Sequence, residues 1–127
     1  IASAPEFLEK LMWKKFTKKI KKIKTNKKIY YLDHGGYVYP ITKQIILDGR
    51  RNKIINKKIN LKIPIVLFHG SNDKVVPLKF SKKILKICRK SKGKLIKIKG
   101  GDHSLTRVND LKKICKELGY MIKFQTI

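Results

Sequence analysis

Two ionisable residues of this 127-residue chain, Asp73 and His103, stand where a hydrolytic site could be built. A carboxylate that accepts a hydrogen bond from a histidine ring fixes the tautomer of that ring. The imidazole can then take a proton from a serine hydroxyl and return it to the leaving group. Each residue follows a stretch typical of a β-strand and lies in a turn-forming segment. Asp73 and His103 are therefore candidates for the acid and base of a nucleophilic triad. Taken singly, Asp73 could equally be a turn residue or a helix N-terminal charge, and His103 a loop histidine with satisfied hydrogen bonds.

The elements that must position this pair form an alternation of strands and helices. Residues 63–68 are a short continuous apolar run, which is typical of a buried parallel strand. Helical spacing then predicts a helix over 78–89, alternation predicts a strand over 94–99, and an apolar stripe over 105–118 predicts a closing helix. This order predicts an α/β unit with parallel strands. The carboxyl ends of adjacent parallel strands are about 4.8 Å apart, so side chains from the two following loops can touch.

The first half of the chain carries weaker patterns. Apolar residues at helical spacing predict a helix over 8–23, and the pattern breaks between residues 25 and 39. Residues 41–48 predict a short helix that ends at Gly49. Gly119 is likewise expected to end the closing helix.

Two motifs resemble known sequence features. Residues 69–77, His-Gly-Ser-Asn-Asp-Lys-Val-Val-Pro, resemble the acid loop of the α/β-hydrolase superfamily, usually His-Gly-x-x-Asp-x-Val-Val-Pro. Residues 100–105, Gly-Gly-Asp-His-Ser-Leu, look like its histidine loop. The order, Asp before His, and the separation of 30 residues also match that family. The resemblance implies the C-terminal part of an α/β-hydrolase fold, with parallel strands flanked by helices and a helical cap segment, and it implies Asp73 as the acid and His103 as the base.

The front of the chain resembles the same family more loosely. Residues 1–7 resemble the end of the strand that follows the nucleophile helix. Residues 39–42 and 47–50 are similar to a cap segment of bacterial serine esterases and thioesterases related to mitochondrial acyl-protein thioesterases. We therefore expect 1–61 to be the end of a core strand plus a helical cap or lid. Residues 62–127 are expected to be the C-terminal strand-helix-strand-helix part of the hydrolase core.

The chain contains no Gly-x-Ser-x-Gly nucleophile elbow. In the family that motif precedes the acid, so we expect it upstream of Ile1 and expect this chain to be the C-terminal half of a serine hydrolase. The resemblance implies a parent enzyme that hydrolyses a small carboxylic ester or thioester and needs no cofactor. The isolated chain is expected to be inactive, with the missing N-terminal half as its partner.

Other polar residues near the pair have simpler interpretations. Ser71 and Ser104 do not sit on a strand-to-helix elbow flanked by glycines, so turn and cap roles are expected for both. His34 begins a His-Gly-Gly that resembles a lipase oxyanion motif, but its place after the expected nucleophile favours a plain turn. Asp102 and His69 invite a metal site with the histidine loop, yet their spacing matches no known ligand pattern. We expect no metal and a loop-packing role for His69.

The charge offers a competing hypothesis. Lys plus Arg is 33 and Asp plus Glu is 8, which gives a net charge of +25, a common footprint of nucleic-acid binding. Base and phosphate recognition favours the planar guanidinium of arginine, but the chain has only four arginines. Its lysines are spread along the chain among Ile and Asn, as a codon bias toward AT-rich codons would produce. The alternative is a small basic module that binds nucleic acid or an acidic surface, with residues 14–24 as its best site. Nucleic acid is the less favoured partner.

The cysteine positions and the distribution of apolar residues indicate the cellular compartment in which the protein is expected. Cys88 and Cys115 occupy apolar positions of helix-like segments and form no Cys-x-x-Cys pair, which favours a reducing compartment over a disulfide scaffold. No apolar run approaches the roughly 18 residues of a membrane helix, and the start lacks a basic-then-apolar signal. We expect a cytoplasmic protein without a membrane span.

Overall fold

A computed structural model describes residues 6–23, 28–34 and 36–123 of the protein. The chain divides into two compact units, the described parts of Pro5–Ile54 and of Ile55–Ile127. Contacts thus divide the chain after Ile54, whereas the sequence analysis divides it after residue 61. The assignment of the first part to a cap stays a prediction.

The first unit opens with short helical segments where the sequence analysis predicts one helix. A π-helical turn over Leu8–Met12 runs into a 3₁₀ turn over Trp13–Lys15, and the short helix α1 covers Lys18–Lys21. The helical path breaks at Phe16, whose backbone is extended with ψ 132°. It restarts because the Thr17 side chain accepts a hydrogen bond from the Ile20 amide. Three apolar positions of the predicted helix, Met12, Phe16 and Ile20, still lie in the buried core cluster of this unit, together with Leu32 and Ile41.

A β-hairpin follows where the sequence analysis predicts no regular structure. Strand β1 covers Tyr30–His34, strand β2 covers Tyr37–Ile41, and the two pair antiparallel with Tyr30 opposite Ile41. The signal was an aromatic and β-branched run on each side of two glycines, a composition that favours tight hairpins. Gly36 has the positive φ of +79° that such a turn requires.

Helix α2 covers Lys43–Arg51. Thr42 caps its N-terminus, because the Thr42 hydroxyl accepts a hydrogen bond from the Ile45 amide at 3.2 Å. The predicted end at Gly49 is wrong, because the helix continues for two more residues. A Cβ at this position would lie 2.7 Å from Leu8 Cδ1. This glycine therefore admits the Leu8 side chain against the helix and does not end it.

The second unit confirms the predicted α/β alternation. Strand β3 covers Ile65–Gly70, helix α3 covers Lys79–Ile87, strand β4 covers Gly93–Ile98 and helix α4 covers Val108–Lys123. The strands β3 and β4 pair in parallel, from Ile65 opposite Gly93 to Gly70 opposite Ile98. Their carboxyl ends therefore coincide, and one cluster of the buried core here is formed by Phe68, Ile98 and Leu105.

Helix α4 differs from its prediction in two ways. It continues through Gly119, where the sequence analysis ends it, and most of its predicted apolar stripe is exposed. Ile114 packs against the core around Leu105. The exposed row recurs every three or four residues and consists of Val108, Leu111, Cys115, Leu118 and Ile122. Across the described ranges, no helix has both the length and the apolar character needed to cross a membrane.

Candidate active site

The loop after β3 is built around the Asp73 side chain. Asp73 Oδ1 accepts hydrogen bonds from the amides of Val75 and Val76, each at 2.8 Å. An Asp bonded to amides two and three residues ahead forms its own turn. The side chain of Asp73 is 0% exposed. One carboxylate oxygen thus shapes the loop, and the other, Oδ2, is held in a fixed direction.

The loop after β4 repeats this construction around Asp102. Asp102 Oδ1 accepts from the amides of Ser104 and Leu105, at 3.0 and 2.9 Å. Leu105 has a left-handed φ of +52° and a fully buried side chain, which anchors the end of the loop in the core. His103 is therefore held between an Asp-centred turn and a buried leucine. Among the described residues, no cluster of three or more His, Cys, Asp or Glu side chains could hold a metal ion.

Hydrogen bonds and close packing join the two loops. Ser71 Oγ accepts from the Gly100 amide at 2.7 Å, and the Asn72 amide donates to the Gly101 carbonyl at 2.8 Å. A Cβ at Gly70 would lie 2.3 Å from two carbonyl oxygens of the second loop. The hydroxyl of Ser71 thus bridges the two loops, and Gly70 allows the backbones to approach this closely.

The structure brings the two predicted site residues together. His103 Nδ1 lies 2.9 Å from Asp73 Oδ2. Because an ionised carboxylate can only accept, Nδ1 carries the hydrogen, and in the neutral ring Nε2 then has the free lone pair. The His103 side chain is 41% exposed while its partner is buried. A buried acceptor and a reachable ring are the arrangement that an acid and a base need, although their catalytic role stays a prediction.

The electrostatics of Asp73 favour its ionised form. Burial alone raises the pKa of this carboxyl. The Val76 amide, the His103 side chain and the Val75 amide lower the pKa and together outweigh burial, so that it lies below its ordinary value. The carboxylate is therefore charged at neutral pH, as the orientation of an imidazole requires.

Asp73→Asn is expected to alter the acid stability of the protein. Because the folded pKa of Asp73 is lowered, its contribution to stability is present above the unfolded value of about 4 and is lost as the pH falls through the folded value. Asp73→Asn should therefore be less stable than the wild type at pH 7, and the gap should narrow below about pH 4. Urea midpoints measured at pH 7, 5 and 3 for both proteins check this, and a gap independent of pH would contradict it.

His69 has more contacts at the site than the sequence analysis expects. The ring is 1% exposed; its Nδ1 lies 2.8 Å from Ser81 Oγ and its Nε2 lies 2.9 Å from the Val76 carbonyl. The same Nε2 is 3.7 Å from Asp73 Oδ2. The signal in the sequence was a polar residue at the end of a buried apolar strand, which must find partners when it is buried.

Comparisons with known proteins bear on the fold. No family model matches the sequence, and no curated protein matches it. The structure of "Putative hydrolase from Agrobacterium vitis S4" aligns over 95% of this chain and 47% of its own, with a TM-score of 0.81 and 21% identity. Alpha/beta hydrolase domain-containing protein 10 from mouse aligns over 98% and 51%, with a TM-score of 0.78 and 20% identity.

The chain thus spans about half the length of the two solved structures that it matches. At these identities the similarity concerns the fold. The parallel pair β3–β4 with helices α3 and α4 is the part of this fold that carries Asp73 and His103. The protein therefore has an α/β-hydrolase fold over this half, as the sequence motifs implied.

Proposed function

We propose that Asp73 and His103 are the acid and base of a serine hydrolase that cleaves carboxylic esters or thioesters. The observation that carries this proposal is the 2.9 Å hydrogen bond between a buried carboxylate and an accessible ring. The α/β-hydrolase fold of the neighbours supports it.

The proposed reaction has two acyl-transfer steps. His103 Nε2 takes the proton of a serine hydroxyl while that oxygen attacks the acyl carbon, and the protonated ring then gives the proton to the departing alcohol or thiol. In the second step the ring takes a proton from water as its oxygen attacks the acyl carbon of the acyl-enzyme. The protonated ring then returns this proton to the serine oxygen as the carboxylic acid departs. Asp73 holds the ring and stabilises its positive charge throughout, and no cofactor enters either step.

The serine of this proposal belongs to a polypeptide segment outside the 127 residues, because these contain no Gly-x-Ser-x-Gly. The first unit is assigned to the cap. A small acyl ester or thioester is the proposed substrate, and the cytoplasm is the proposed compartment.

The test compares two proteins, the 127-residue chain and the polypeptide encoded by the whole reading frame that contains it. Both are treated with a fluorescent serine-reactive phosphonate and assayed with short-chain and long-chain 4-nitrophenyl esters and acyl thioesters. We expect labelling and hydrolysis with the longer polypeptide only. An absence of both from a folded longer polypeptide would overturn the proposal.

A second candidate, binding of polyanions, is favoured by one cavity of the second unit. The cavity has a volume of about 590 Å³, and its single acidic side chain, Asp110, is bound by Arg107 through two 2.8 Å hydrogen bonds. The cationic residues that line it are Lys99, Arg107, Lys112, Lys113 and Lys116. Titration with unrelated DNA sequences at increasing salt tests this candidate, which requires binding with a steep salt dependence.

A further inference from the structure

We propose that His69 and Ser81 form a positioning pair that holds the acid loop, and thereby Asp73, in place for His103. This inference rests on the proposed function, because it assigns the pair a role in that same site. Both residues of the pair are buried, with Ser81 0% exposed. They bond to one another, and neither takes part in the hydrogen bond between Asp73 and His103.

The hydrogen bonds of His69 fix the direction of its ring. The Val76 carbonyl can only accept, so Nε2 carries a hydrogen and donates it at 2.9 Å. The hydroxyl of Ser81, on helix α3, can then donate to Nδ1 at 2.8 Å. Both ring nitrogens are satisfied although the ring is buried, which is the condition under which a buried histidine is tolerated.

The ring acts on the acid through Val76. The carbonyl of Val76 accepts from His69, and the amide of Val76 donates to Asp73 Oδ1 at 2.8 Å. Both backbone groups of one loop residue are therefore engaged, one by the pair and one by the acid. The hydrogen bonds run from Ser81 through His69 and Val76 to Asp73, and they tie the acid to helix α3.

The His69 ring also lies close to the acid itself. The Nε2 atom of His69 is 3.7 Å from Asp73 Oδ2, the same oxygen that accepts from His103. At this distance the N–H group of His69 is not a hydrogen-bond partner of the carboxylate, because it donates to the Val76 carbonyl. The buried ring therefore packs beside the acid and acts on it through Val76.

The test uses Ser81→Ala, which removes one hydroxyl and leaves His69 in place, and Ser81→Thr, which retains a hydroxyl. The matched control is Ser91→Ala, which removes a serine hydroxyl that donates to the Leu61 carbonyl at 3.0 Å, remote in sequence from the acid loop. Carboxyl NMR titration follows Asp73, imidazole nitrogen NMR follows the tautomer of His103, and urea unfolding gives stability.

With Ser81→Ala we expect the Asp73 titration midpoint to rise and the His103 ring to lose its single tautomer, whereas Ser81→Thr restores both. Ser91→Ala should alter stability alone. In the longer polypeptide, Ser81→Ala should lower kcat/KM by roughly tenfold to a hundredfold, as small displacements of catalytic groups do.

The outcomes separate this inference from the proposed function. If Ser81→Ala changes only stability, as the control does, the positioning role is overturned. If the longer polypeptide shows no hydrolysis but Ser81→Ala still shifts the Asp73 titration and the His103 tautomer, the positioning of this pair stands and the proposed hydrolysis fails.

Discussion

His103→Gln is expected to lower kcat/KM for ester hydrolysis by roughly 10³-fold to 10⁴-fold in the longer polypeptide that contains these residues. The glutamine amide retains polar character but cannot take a proton from serine near neutral pH. The ring that it replaces is 41% exposed, so the loss should leave the fold intact. Steady-state hydrolysis of a 4-nitrophenyl ester, with circular dichroism as the check on folding, measures both effects.

Asp73→Asn is expected to lower kcat/KM by about as much, close to 10⁴-fold, although it leaves every residue of the histidine loop unchanged. An asparagine NH₂ facing His103 Nδ1 would donate to it, so the ring would carry its hydrogen on Nε2 and could no longer act as a base there. Ser104→Ala is the control, because it alters the neighbour of His103 and should leave kcat/KM within about twofold. An activity of either site variant close to that of the control would contradict the assignment.

Gly70→Ala is expected to be the most destabilising single methyl addition in the second unit. The new Cβ would lie 2.3 Å from two backbone carbonyl oxygens of the opposite loop, and backbone atoms cannot rotate away as a side chain does. We expect a loss of about 3 kcal/mol in the free energy of unfolding, together with separation of Asp73 from His103. Urea unfolding and the loss of a single His103 tautomer by NMR would measure the two effects.

Gly119→Ala is the matched control, since it makes the same chemical change within helix α4 where the new Cβ would meet open space. Because alanine has a higher helix propensity than glycine, the free energy of unfolding of this variant should rise by up to about 1 kcal/mol. We therefore expect Gly70→Ala to lower the free energy of unfolding and Gly119→Ala to raise it. Equal changes in stability would mean that the loops of Asp73 and His103 do not approach as closely as described.

The second unit could be predicted from the sequence because its signals are local and agree with one another. The apolar run that forms β3 is too short for a helix and ends in turn residues, and β4 alternates apolar and polar positions. Parallel pairing then brings the loops of Asp73 and His103 to one edge. The contact between them follows from the topology, which the pattern specifies.

The features that the sequence analysis missed depend on contacts distant along the chain. Gly49 is predicted to end a helix, but its role is to make room for the side chain of Leu8, which is 41 residues earlier in the chain. The partners of His69 are a carbonyl seven residues away and a hydroxyl on another element. The apolar row of helix α4 has the spacing of a core face, yet Val108 and Leu118 are more than half exposed, because spacing identifies a face and not what covers it.

In the part of the chain that the structure describes, the hydrogen bonds that position Asp73 and His103 join groups within the 37 residues from His69 to Leu105. Such short loops close at little entropic cost, so we expect the acid and base to meet early in folding, as soon as β3 and β4 pair. The proposed acid and base would then assemble through contacts of this segment alone, whichever serine is presented to them. In evolutionary terms, we expect such a segment to be inherited or lost as one block, separately from the proposed nucleophile.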